Sequence, residues 1–462
     1  MDCFRIEGGR RLAGRLTVDG SKNASLPLMA AALLSDGPVE LDGVPDLSDT
    51  GNMVRLLEDL GVEVARTAAG GMRFRTVDPE AIHARYDIVR TMRASICVLG
   101  PLLARRGKAI VSMPGGCAFG SRPVDLHLRG LEALGARIRL DGGDIHCEAD
   151  ELVGTTIFLG GPFGSTVLGT ANIMSAACVA KGTTVIESAA CEPEIADLAR
   201  LLNSMGARIT GAGGPRLVIE GVERLGAATH RVMPDRIVAG TYAAAAAVTN
   251  GDVVIDDFPY DSLLAAVDRF SEIGVRVERQ DPTEDSRRCS VRVTCERELR
   301  PSIITTQPHP GFPTDLQAQF MTLLCLAEGN SVITEKIYPE RFMHVAELAR
   351  MGGLFTRQGP TVVVQGVKSL IGAPVMACDL RASACLVIAG LAAQGTTTIN
   401  RVYHLDRGYV RMEERLAQLG ASIRRVSDTP APSSPGTTSD SAPEIEILTP
   451  TTPASKLVKS DR

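Results

Sequence analysis

The sequence predicts an α/β protein assembled from six copies of one unit. Two glycine-centred phrases alternating along the chain carry that prediction, together with the apolar helices of one phrase and the strands that follow both. The first phrase is an amphipathic helix ending in hydrophobe-Gly and then a short strand, at residues 57–64, 131–138, 202–209, 270–277, 348–355 and 416–423. The second is an Ala-rich helix, a glycine and a β-branched strand, at 31–41, 102–111, 176–186, 245–255, 323–333 and 389–399. Successive glycines in each series fall roughly seventy residues apart, longer than the common solenoid periods.

Each glycine reads as a C′ cap that takes a left-handed conformation as its helix stops. Helices of the second phrase are apolar nearly all round, as in Ala243-Ala244-Ala245-Ala246-Ala247-Val248, and belong inside. Helices of the first phrase carry charge on one face and belong outside. One unit is therefore a buried helix, a surface helix and a few strands, with the strands covering the buried helices. Six such units can close as one ring or as two threefold modules, and the spacing alone does not choose. Residues 427–462 are rich in Pro, Ser and Thr. They lack the apolar content to fold and read as a disordered tail.

Composition narrows the function. The 462 residues are 44% hydrophobic and 22% charged, with 49 basic against 54 acidic side chains, enough for sizeable cores in an ordinary soluble protein. The net charge of −5, the absence of Trp and the 4% aromatic content argue against nucleic-acid binding and aromatic stacking platforms. Eleven cysteines and seven histidines form no CxxC, HExxH or other ligand spacing, so neither a disulfide framework nor a metal site is expected. The first nine residues carry charge and lack an apolar core, so no signal peptide is expected. No apolar run reaches membrane-spanning length, and the reducing cytoplasm fits the free thiols.

The chemistry gathers where the buried helices begin. These entrances read Ser21-Lys22-Asn23, Thr91-Met92-Arg93, Ser165-Thr166-Val167, Pro234-Asp235-Arg236, Pro313-Thr314-Asp315 and Asp379-Leu380-Arg381. Ser, Thr, Asp and Asn serve as N-caps. Capping does not explain Lys22, Arg93, Arg236 and Arg381, since the helix dipole disfavours a cation in the first turn. A bound anion would explain them, with interdomain salt bridges as the plain alternative. A further piece is Cys117, on the loop Pro114-Gly115-Gly116-Cys117-Ala118-Phe119-Gly120-Ser121-Arg122. A thiol among glycines and beside an arginine is placed for chemistry more than for packing. Cations, a thiol and carboxylates without a P-loop or GxGxxG suit an anionic substrate and acid–base work.

Long motifs then carry a resemblance. Lys22-Asn23, residues 114–117 with 122–127, Phe312-Pro313-Thr314-Asp315, Arg341-Phe342-Met343-His344, Asp379-Leu380-Arg381-Ala382-Ser383 and Asp406-Arg407-Gly408-Tyr409 are similar to the signatures of the enolpyruvyl transferases. The resemblance is to the UDP-N-acetylglucosamine 1-carboxyvinyltransferase branch and runs in order to about residue 426. It implies two inside-out α/β barrel domains of three repeats each, over 22–233 and over 1–21 plus 234–426. It implies transfer of the enolpyruvyl group of phosphoenolpyruvate to the 3-hydroxyl of UDP-N-acetylglucosamine, without metal or organic cofactor. A relative with the same donor and another acceptor, such as a uridine nucleotide, is the alternative.

Carried over, the resemblance implies that Lys22, Arg122 and Arg407 hold phosphoenolpyruvate. Cys117 is the loop acid and the point of fosfomycin attack, Asp315 takes the hydroxyl proton, and Asp379 and Arg381 position the donor. Asn23 and Asp315 contact the sugar, and Arg122, Pro123, Val124, Asp125 and Leu126 line the uridine. Thr166 and Val167 lie at the diphosphate, and Arg93, Ile337 and Arg341 complete the binding set. Two positions depart from the family pattern: Leu168 stands where a glycine is usual, and Cys191 where a basic residue often precedes Glu-Pro-Glu.

Overall fold

The structure, a computed structural model, describes residues 2–68, 70–114, 124–296 and 298–427. Its apolar side chains collect in two cores. One is built from residues between Ala24 and Met233, the other from Phe4 to Val18 together with Ile237 to Ala421. Each core is threaded by three of the Ala-rich helices. Lys22–Ala31, Leu99–Arg106 and Val167–Ala177 belong to the first; Arg236–Val248, Gln317–Leu324 and Leu380–Ala392 belong to the second. Arg236–Val248 is buried along its whole length, as a helix without a polar face must be. Small residues let these helices approach closely: a Cβ on Gly100 would lie 2.3 Å from the Asn172 carbonyl oxygen. The second entrance differs from expectation, since a 3₁₀ turn, Arg93–Val98, precedes its helix.

Six four-stranded sheets cover the two helix trios, and all six have the same plan: one parallel pair followed by two antiparallel pairs. In one, His83–Ala84 runs parallel to Lys108–Ser112, which pairs with Asp144–Glu148 and then Arg137–Asp141. The buried helix makes the parallel crossover, and the outer helix Asp125–Ala133 leads into the hairpin. The sheets are open, and none of them closes on itself. The six glycines after the outer helices, Gly61, Gly135, Gly206, Gly274, Gly352 and Gly420, all have φ between 76° and 108°, where a side chain would be strained. The expected left-handed cap fails at Gly37 and at Gly251; at Gly37 a Cβ would lie 2.9 Å from Ala227 Cβ. In the other case Asn250 takes the positive φ (50°), and Gly251 is needed because a Cβ would lie 2.8 Å from Leu12 O.

The chain passes between the cores twice. Strands Asp2–Glu7 and Ala13–Thr17 join sheets of the second core, while Ala228–Arg231 returns to a sheet of the first. Both passages run side by side: Gly20 and Pro234 form an antiparallel bridge, the Ser21 N–H donates to Met233 O (2.7 Å), and the Asp235 N–H donates to Asp19 O (2.9 Å). The helices beginning at Lys22 and Arg236 start directly after this crossing. The strand Ser422–Ser427 includes Ser427, the first residue of the segment read as a tail; the rest of that segment lies outside the described residues.

Candidate functional site

Capping side chains set the helix entrances. Ser21 Oγ accepts the Ala24 N–H (3.2 Å), Thr166 Oγ1 that of Gly169 (3.2 Å), and Asp379 Oδ1 those of Arg381 (2.8 Å) and Ala382 (3.1 Å). Asp235 does more. Its Oδ1 accepts from Ile237 and Val238, and its Oδ2 accepts the Lys22 N–H at 3.1 Å. One buried carboxylate thus serves the first turns of two helices that lead into different cores.

Two ion clusters follow from these entrances. Lys22 Nζ lies 3.1 Å from Asp49 Oδ2, and Arg407 Nε donates to Asp49 Oδ1 at 3.0 Å. Asp49 sits in the first turn of the outer helix Ser48–Asp59 and is buried. Burial works to raise its carboxyl, but Lys22 and Arg407 hold it below the ordinary value. For Lys22, burial lowers the ammonium, Asp49 opposes this, and the nearby charges of Arg381 and Arg407 add to it.

In the second cluster, Asp315 Oδ1 accepts from Arg341 Nη1 (2.7 Å) and Oδ2 from Arg381 Nε (3.1 Å). Burial would raise the Asp315 carboxyl. The Arg341 and Arg381 charges, with Lys22 beyond them, hold it instead far below the carboxylate range. Its side chain keeps 26% of its surface open, whereas Arg381 is closed in at 3%. Arg381 stacks over Tyr409, 5.4 Å from the ring centroid, and its Nη1 is buried without a hydrogen-bond partner among the described residues. A buried guanidinium nitrogen left unpaired is costly unless an anionic ligand arrives.

The structure therefore brings Lys22, Asp315, Arg341, Arg381 and Arg407 together, with Asp379 close enough for its charge to act on Arg341. Asn23 follows Lys22 on the same helix. The Ile337 N–H donates to the buried Glu335 carboxylate at 2.9 Å. The other expected residues sit with the first core. Arg93 opens its 3₁₀ turn, and its charge adds to the burial that drives His127 down to about 3. Val124 is buried ahead of the helix carrying Asp125 and Leu126, and a Cβ on Gly161 would lie 3.2 Å from Leu126 Cδ1. Thr166 and Val167 begin the helix Val167–Ala177. Cys117, Arg122 and Pro123 lie outside the described residues.

One expectation is corrected. Arg236 does not await an anion: its guanidinium is buried against Glu194, at 2.9 Å and 3.3 Å. Glu194 belongs to the outer helix Pro193–Ser204 of the first core, so the pair is a salt bridge between the two halves. Asp49 was missed. An acid in a first helical turn reads as dipole compensation, and nothing near it in sequence announces Lys22 or Arg407.

Residues 6–416 match the EPSP synthase (3-phosphoshikimate 1-carboxyvinyltransferase) family. The chain belongs to that family. It is 50% identical over 428 residues to a UDP-N-acetylglucosamine 1-carboxyvinyltransferase of Geotalea uraniireducens, a match covering 93% of this chain and 100% of the relative. A protein of the same name from Gluconacetobacter diazotrophicus is 52% identical over 436 residues, with the same coverage of each. Among solved structures, the enolpyruvyl transferase NikO from Streptomyces tendae superposes with a TM-score of 0.82 at 26% identity, covering 92% of this chain and 99% of that one. An EPSP synthase from Acinetobacter baumannii shares the fold at a TM-score of 0.73 and 19% identity, covering 92% of this chain and 100% of that one.

Leu168 is partly buried and packs against the first core. Cys191 precedes Glu192, whose Oε1 accepts the His309 N–H at 3.3 Å, a further link between the halves. Among the described residues no group of His, Cys, Asp and Glu is arranged to hold a metal ion, and no helix is long and apolar enough to cross a membrane.

Proposed function

We propose that this protein transfers the enolpyruvyl group of phosphoenolpyruvate to the 3-hydroxyl of UDP-N-acetylglucosamine, releasing phosphate, as the first committed step of peptidoglycan synthesis in the cytoplasm. Identity of about half the residues along the full length of relatives bearing that activity's name carries this reading over another acceptor. The charge of the site supports it. Lys22, Arg341, Arg381 and Arg407 converge there, and Arg381 Nη1 offers an unused donor. A small molecule carrying phosphate and carboxylate satisfies both conditions.

In this reading Lys22 and Arg407, with Arg122, bind the donor, and Arg381 and Asp379 orient it. A proton delivered to the methylene carbon, with Cys117 as the loop acid, leaves a cationic C2. The sugar hydroxyl adds there and gives its proton to Asp315, forming a tetrahedral ketal. Loss of a proton from the new methyl group and cleavage of the C–O bond to phosphate then restore the enol ether. Asp315, held anionic by two arginines, is a weak base. It suffices because a hydroxyl attacking a cationic carbon becomes strongly acidic. The open part of Asp315 is where such a hydroxyl can reach it. Asn23 and Ile337 contact the sugar nucleotide, as do Arg93, Val124, Asp125, Leu126, Thr166 and Val167, together with Pro123.

The two cores correspond to two inside-out α/β domains, 22–233 and 1–21 plus 234–426, that close on the sugar nucleotide. Neither metal nor organic cofactor takes part. Phosphate release from phosphoenolpyruvate, measured with UDP-N-acetylglucosamine and with free uridine nucleotides, tests the reading. Turnover with the sugar nucleotide alone is expected; turnover only with a uridine nucleotide would overturn it.

A further inference from the structure

Glu335 follows the strand Asn330–Thr334 and is completely buried, yet it carries a full set of partners. Its Oε1 accepts from Thr306 Oγ1 (2.6 Å), the Ile337 N–H (2.9 Å) and the Tyr338 N–H (3.0 Å); its Oε2 accepts from Thr314 Oγ1 (2.8 Å). The Thr306 hydroxyl is also an acceptor, for the Lys336 N–H at 2.9 Å. One carboxylate therefore joins three segments that are separate in sequence: 306, 314 and 336–338.

The polarity of this arrangement is determined. A carboxylate only accepts, so the single Thr314 hydroxyl proton points at Glu335. The Thr314 oxygen is then left as an acceptor, and Arg341 Nη1 donates to it at 3.0 Å while also meeting Asp315 Oδ1 at 2.7 Å. The order Glu335, Thr314, Arg341, Asp315 is a relay of orientation. A second branch from the same carboxylate fixes the backbone at Ile337 and Tyr338, and Tyr338 lies against Arg341, whose guanidinium carbon is 5.9 Å from its ring centroid.

We propose that Glu335 is a positioning residue for the acceptor, holding the Ile337 wall and the Asp315 carboxylate in one register. This rests on the proposed transferase reaction and on Asp315 and Ile337 facing the sugar nucleotide in it. Glu335 touches no substrate; it acts through the two arms. A glutamine keeps its shape but puts an N–H₂ donor where an acceptor is needed. Either the Thr314 hydroxyl proton or the two backbone N–H groups then lose their acceptor, and in the first case the amide N–H₂ competes with Arg341 for the Thr314 oxygen.

The test uses the full-length chain and first establishes wild-type phosphate release from phosphoenolpyruvate and UDP-N-acetylglucosamine, which judges the reaction itself. Glu335→Gln is expected to raise KM for the sugar nucleotide about tenfold or more and to lower kcat, with KM for phosphoenolpyruvate changed by no more than about threefold. Thr314→Val, which cuts only the Asp315 arm, is expected to lower kcat about tenfold and to raise the sugar-nucleotide KM less than Glu335→Gln does. An active wild type together with a folded Glu335→Gln whose constants stay within about twofold, or whose two KM values rise equally, would overturn the proposal. Should Glu335→Gln fail to fold, an unchanged kcat in Thr314→Val would overturn it alone.

Discussion

Arg407 and Asp49 are 358 positions apart in sequence, and the guanidinium Nε of one lies 3.0 Å from a carboxylate oxygen of the other. The contact joins the two cores, and Lys22 shares the same carboxylate. Asp49 therefore acts as an internal anion that keeps two cations of the candidate donor site near each other.

Asp49→Asn leaves Lys22 and Arg407 to repel one another. A loss of about 1–3 kcal/mol is expected, less than for a fully buried pair because Arg407 is 39% exposed. Phosphoenolpyruvate should restore part of it, so the ligand-induced rise in Tm should be larger in the variant than in wild type. The pH sign is determined. The folded carboxyl is lowered, so its contribution is complete above the unfolded pKa and is lost as pH falls through the folded value. The stability gap between wild type and variant should be constant near neutrality and narrow below about pH 4.

Lys22 gives an alkaline signature. Its ammonium is lowered by burial and by neighbouring arginines, so it loses its proton below the ordinary lysine value of about 10.4. kcat/KM for phosphoenolpyruvate should fall on the alkaline side before that value is reached. In Lys22→Arg this limb should vanish, because a guanidinium keeps its charge throughout. A limb that survives the substitution would assign the titration elsewhere.

The Arg236–Glu194 pair is more deeply buried, at 9% and 4% side-chain exposure. Glu194→Gln strands a guanidinium in the interior and should cost about 3–5 kcal/mol in urea unfolding. Combining Arg236→Met with Glu194→Leu should recover most of that loss.

Cys117 gives a covalent test of the proposed loop acid. Fosfomycin should alkylate it, with the mass shift on the peptide spanning residues 114–122. Cys117→Asp should keep turnover and resist the drug. An unmodified thiol after incubation with drug and sugar nucleotide would count against its assignment.

How much of this was legible in the sequence depended on distance along the chain. The sixfold repeat was, because the glycines after the outer helices each report a local conformation: Gly61 and Gly420 signal the same helix end whatever surrounds them. Lys22 and Arg381 were, because a cation at the entrance of an apolar helix is anomalous within four residues of sequence, and Asp315 was through the motif that carries it. Asp49 was not, because an acid after Leu47-Ser48 fits an ordinary helix start. Arg236 shows the limit most clearly: it carries the same local anomaly as Arg381, but Glu194, contributed by another helix, answers it. Glu335 was hidden for the same reason, since its value lies in joining positions 306, 314 and 337.

The crossing of the chain also orders events in time. Asp2–Glu7 sits between Thr396–Asn400 and Ser422–Ser427, and Ala13–Thr17 runs beside Asp252–Phe258. Asp2–Glu7 has no neighbours until residues 396–427 leave the ribosome, whereas Ala13–Thr17 can pair once residues 252–258 have emerged. Residues 22–231 can meanwhile fold around their own core while the leading segment waits unpaired. A nascent chain stalled before residue 396 would hold one half complete and a strand still exposed, which makes that segment a point at which a chaperone can act.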